Sequence, residues 1–117
     1  MILDDEARLI ELAENRAEAL SGYGATYAYL HTAYSIHQDE IKEMTGKKFV
    51  GNDSRPDVVL DWAQKQDEET KNKITRAFTV MVKEGKRAEA INSQMEALSE
   101  VLRFRVSKWK NEREAKV

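Results

Sequence analysis

Residues 20–44, LSGYGATYAYLHTAYSIHQDEIKEM, set Leu20, Tyr23, Tyr27, Leu30, Tyr34, His37, Ile41 and Met44 at alternating steps of three and four. That spacing keeps one side of an α-helix apolar and fits no strand. Upstream, Leu9 and Ala13 extend the stripe, Arg16 interrupts it before Leu20, and Asp4, Asp5 and Glu6 supply negative charge where a helix begins. The first helix is therefore expected over residues 4–44. It crosses Gly22 and Gly24, each costing about 1 kcal/mol in a helix interior, so a continuous or gently bent helix is expected there. Such a helix is about 60 Å long, more than a compact domain of this size could cover. A second copy of the chain is expected to bury part of the stripe.

Outward from this segment, residues 45–55 (TGKKFVGNDSR) gather Gly46, Gly51, Asn52, Asp53 and Ser54 and read as a loop. Gly46, Lys47 and Lys48 lack the rest of a phosphate-binding loop pattern, so a solvated loop is the better reading. Ser54 followed by Pro56 and Asp57 reads as a helix start, with Ser54 as cap and Asp57 returning a capping-box contact. A short helix carrying Val58, Val59, Leu60, Trp62 and Ala63 should run to about Gln66. Asp67, Glu68 and Glu69 open the next helix, whose apolar arc is Ile74, Ala77, Phe78, Met81 and Val82, with Lys73, Arg76, Lys83 and Arg87 on another side. Gly85 reads as its stop. A last helix over residues 86–113 bears a main stripe of Ala88, Ile91, Met95, Leu98, Leu102, Val106 and Trp109 and a second strip of Ala97, Val101 and Phe104. Two strips ask for two neighbours.

The whole is expected to be one all-α domain spanning residues 1–117, an elongated helical bundle or antiparallel hairpin of about four helices with long first and last members. Composition agrees: 117 residues hold 5 Gly and 1 Pro, too few turn formers for an all-β fold of this length. Mean hydropathy of −0.68 indicates a small core and many solvated faces. The absence of Cys excludes disulfides, Cys-based zinc sites and thiol nucleophiles. No apolar run approaches membrane-spanning length, and the first residues have no signal-peptide character, so a soluble cytoplasmic protein without membrane contact is expected.

Charge is strongly divided. Residues 1–46 carry 3 cations and 9 anions, residues 71–117 carry 12 and 6, so a net charge of −2 conceals ends of −6 and +6. This can be antiparallel complementarity within the chain, or the basic half can face an acidic ligand. Lys73, Arg76, Lys83 and Arg87 converge on one face, and Arg103 and Lys110 share another; these six are the candidates for an acidic partner or nucleic acid. No aromatic interleaves with the first four as a single-strand stacking platform would need, and a pI of 5.8 is low for a dedicated binder.

Catalytic groupings are scarce. His31 and His37 sit six residues apart and point about 120° from each other on one helix, so they cannot chelate one ion as an i,i+4 pair could. His37 with Glu40 is the reversed order of a di-metal motif, occurring once. The serines lack His/Asp partners. No enzyme activity, metal or cofactor is expected. Tyrosines at 23, 27, 29 and 34 concentrate rings with polar tips; Tyr29 lies off the stripe and suits an exposed position.

Tyr23, Tyr27, Leu30, Tyr34, Ile41, Val101, Phe104 and Trp109 are the expected self-association or partner surface. Residues 98–113 (LSEVLRFRVSKWKNER) resemble the closing helix of phage recombination-mediator proteins, over less than a fifth of the chain, in a pattern that other basic amphipathic helices share. The functional expectation is a non-enzymatic protein-protein interaction, adaptor or inhibitor/assembly protein that acts through helical surfaces as a homo-oligomer. The alternative is a nucleic-acid accessory protein, mediator-like, using basic faces of the C-terminal helices.

Overall fold

The computed structural model describes residues 4–45 and 56–115, which form three α-helices: α1 (Asp4–Thr45), α2 (Pro56–Ala63) and α3 (Glu68–Ala115). Among the described residues there is no strand. Of the expected loop, Thr45 is instead the last residue of α1, and residues 46–55, including Lys47, Lys48 and the Ser54 cap, lie outside them. Pro56 is the first helical residue of α2, where its missing N–H costs nothing.

The helix number departs from the expected four because α3 runs through Gly85 without a stop. A helix-ending glycine takes a left-handed φ, and Gly85 does not. It serves close packing instead: a Cβ on Gly85 would lie 3.2 Å from Cδ2 of Tyr23, and one on Gly22 would lie 3.2 Å from Cγ of Glu84. α1 likewise continues through Gly22 and Gly24, as expected, but breaks its helical geometry at His37, with φ −110° and ψ 19°. Neither Pro nor Gly stands there. The bend falls where α2 packs on α1, with the His37 ring stacked on Trp62 at 4.5 Å.

The described residues group into two compact units whose limits fall inside both long helices, between Ala19 and Leu20 and between Gly85 and Lys86. In the unit of Leu20–Gly85, the core joins Leu30, Tyr34 and Ile41 of α1, Val58, Val59, Trp62 and Ala63 of α2, and Ile74 and Met81 of α3. Leu30, Ile41 and Val59 are wholly enclosed, each contributing about 1.5–3 kcal/mol through removal of apolar surface from water. Within the other unit, α1 up to Ala19 pairs with α3 from Lys86 onward, burying Leu12, Ala19, Ala88 and Ile91. Its helices are antiparallel, since Asp5 meets Arg105 and Glu18 meets Arg87. Of the α1 stripe, Leu30, Tyr34 and Ile41 are buried within the chain, while Ala13, Leu20, Tyr23 and Met44 stay exposed.

The turn from α2 into α3 is tied by i→i−3 bonds, with the N–H of Lys65 donating to Trp62 O at 3.1 Å and that of Gln66 to Ala63 O at 3.0 Å. Asp67 then caps α3, its carboxylate accepting from the Thr70 N–H at 3.4 Å. Hydrogen bonding to Thr70 holds the Asp67 carboxyl below its ordinary value.

Two outcomes are expected. Gly24 faces open space, so Gly24→Ala should raise unfolding stability by about 1 kcal/mol, whereas Gly85→Ala should gain less because the Tyr23 ring must move; denaturant titration compares them. Because the Asp67 pKa is lower folded than unfolded, its stabilisation is present above the ordinary 3.8 and is lost as pH falls. Asp67→Ala should therefore be less stable than the native chain at pH 7, with the gap narrowing below pH 4 in thermal melts.

Candidate binding surfaces

The expected contact residues separate by burial. Leu30, Tyr34 and Ile41 are core, Tyr27 is half-buried against that core, and Tyr23 is partly exposed, with its ring near Gly85 and 6.1 Å from that of Tyr27. The apolar area of the first three is therefore spent inside the unit. Val101, Phe104 and Trp109 are all open, Phe104 at 70% and Trp109 at 59% exposure.

Their exposure has a geometric origin. Asp5, in the first described turn of α1, forms its ion pair with Arg105, so the residues of α3 beyond that point pass the described start of α1. Every described side chain from 103 to 113 is exposed. Val106 and Trp109 continue the stripe that buries Ala88 and Ile91 but are themselves exposed, and Ala97, Val101 and Phe104 form a second exposed strip. Arg103, Lys108, Lys110 and Arg113 surround these apolar groups, with the Arg113 guanidinium 5.3 Å from the Trp109 ring centroid.

A second surface lies in the unit of Leu20–Gly85. A groove of about 690 Å³ separates Ala25 and Tyr29 of α1 from Lys73, Arg76, Ala77 and Val80 of α3. It holds two of the basic-face candidates and sets an aromatic ring among them, which reading α3 alone missed. The signal was present in Tyr29, which departs from the stripe of its own helix. Lys73 is not a free cation: its ammonium donates to Glu69 at 2.9 Å, and this hydrogen bond, reinforced by the carboxylate charge, raises its pKa. Arg76 and Lys83 make no ion pair among the described residues. Arg87, Arg103 and Lys110 belong to the other unit, where Arg87 lies 3.7 Å from Glu18.

The two histidines stay apart. His37 stacks on Trp62, and the His31 Nδ1 and Trp62 Nε1 atoms are buried without a hydrogen-bond partner among the described residues. No group of three or more described His, Asp or Glu residues is placed to hold a metal ion. No described helix is long and apolar enough to cross a membrane. Compared with protein-family models, curated proteins and solved structures, the chain matches none.

Trp62 is buried and Trp109 is open, which makes their emission separable. Trp109→Phe should leave a blue-shifted, acrylamide-resistant signal, and Trp62→Phe a red-shifted one quenched several-fold more strongly. Equal quenching of the two variants would contradict the burial described.

Proposed function

We propose that this is a non-enzymatic helical binding protein that engages a protein partner through the exposed end of α3. The observation that carries this reading is the uninterrupted exposure of residues 103–113 together with their large apolar side chains, Phe104 at 70%, Val106 at 62% and Trp109 at 59%. Leaving such groups in water forgoes the free energy that burial would return, and aromatic residues beside Arg are the usual anchors of protein interfaces. The surrounding cations, net +4 over residues 103–113, suit a partner whose contact surface is acidic around an apolar centre.

Nucleic acid is the weaker reading. Of the four cations on the face that begins at Lys73, Lys73 is held by Glu69 and Arg87 lies beside Glu18. On that face Arg76 and Lys83 would release few counterions, and the other two candidates, Arg103 and Lys110, stand among the large exposed apolar side chains of the α3 end.

A photo-crosslinking amino acid at position 104 of the full chain, irradiated in its native cells, tests the proposal. The expected result is a discrete protein adduct that the same group at exposed Thr32 does not give. Adducts to nucleic acid alone, or none above the Thr32 control, would contradict it.

A further inference from the structure

The charges left unpaired inside the chain are spaced to meet one another across two copies. In the first turns of α1, Asp5 pairs with Arg105, Glu11 with Arg8 at 3.1 Å, and Glu18 lies 3.7 Å from Arg87. Glu6 and Glu14 make no ion pair among the described residues. At about 100° per residue, Glu6, Ile10, Ala13, Glu14 and Ala17 fall within an arc of about 100°. All five are exposed, Ile10 at 53%. This is an acidic face with one large apolar residue midway between its two acids.

The groove offers the opposite charge beyond its own Glu69–Lys73 pair. Arg76 stands on its α3 wall, and Lys83 follows two turns later on the same side, about 20° away. Val80, between them in sequence, lines the groove opposite the partly exposed Tyr29. Along a helix, Glu6 and Glu14 are separated by about 12 Å and Arg76 and Lys83 by about 10.5 Å, so both pairs can meet at once. Ala25 and Ala77 are small enough to admit a helix carrying Ala13 and Ala17.

We propose that this groove receives the acidic α1 face of a second copy, setting Glu6 and Glu14 against Arg76 and Lys83 and seating Ile10 between Tyr29 and Val80. The proposal goes beyond the reading of α3 as a partner-binding end and uses neither Phe104 nor Trp109. Because both charge pairs are solvent-exposed, the contact weakens as ionic strength rises, and Ile10 supplies the part that salt does not screen.

Light scattering on the full chain at tens to hundreds of micromolar and low salt tests this by charge exchange. The native chain should show a mass above its 13.5 kDa. An Arg76→Glu, Lys83→Glu chain and a Glu6→Lys, Glu14→Lys chain should each run as monomers with unchanged helicity by circular dichroism. Their equimolar mixture should associate again, at least about tenfold more tightly than either alone, because every repelling pair becomes attractive. Ala25→Trp, which fills the groove without altering charge, should also give a monomer. A monomeric native chain, variants that remain associated, or a mixture that fails to associate would each overturn the proposal. So would a monomeric chain that binds oligo-dT and loses that binding on Arg76→Glu, Lys83→Glu, since the groove would then take phosphate. Failure here leaves the crosslink at position 104 intact, so the two ideas fail separately.

Discussion

α1 and α3 come close where two side chains are missing. Gly85 lets the Tyr23 ring approach the α3 backbone, and Gly22 leaves room for the stem of Glu84. Both residues carry the backbone-entropy cost of glycine in a helix interior, about 1 kcal/mol each relative to alanine, so the close packing must return it. Bulkier residues at either place would hold the helices apart. The core that follows, with Leu30, Tyr34, Ile74 and Met81 in one cluster, depends on that separation. α2 completes the cluster by inserting Val58, Val59 and Trp62, and the bend at His37 lies where its indole stacks.

Charge is distributed around this pairing in two ways. Some opposite charges are consumed within a unit, as in Asp5 with Arg105 and Glu18 with Arg87. These are exposed pairs, individually worth about 0–1 kcal/mol, so they set register more than stability. Others, including Glu6, Glu14, Arg76 and Lys83, find no described counter-ion. The division of the sequence into an acidic beginning and a basic end thus serves antiparallel pairing only in part.

The fold class was legible because the three-and-four spacing of Leu30, Tyr34 and Ile41 admits little else. α2 was legible from Pro56 and the run from Val58 to Ala63. Gly85 was misread because a glycine that ends a helix and one that admits a neighbouring ring look alike in sequence; the Tyr23 that distinguishes them lies 62 positions away. The break at His37 left no glycine or proline to mark it. Periodicity put Val106 and Trp109 on the same stripe as Ile91, correctly as a face, but it carries no information about where the covering helix begins. The groove escaped for a related reason, since Tyr29 and Arg76 share a surface only once two helices are aligned.

The continuity of α3 through Gly85 is the most direct point of test, because the approach of the Tyr23 ring to Gly85 uses a helical glycine where a loop glycine would end the helix. Residue-resolved amide hydrogen exchange measures it. The account predicts that the amides of residues 84–90 are protected as strongly as those on either side, while those of residues 103–113 exchange much faster. Rapid exchange confined to residues 84–90, at rates typical of a loop, would contradict it.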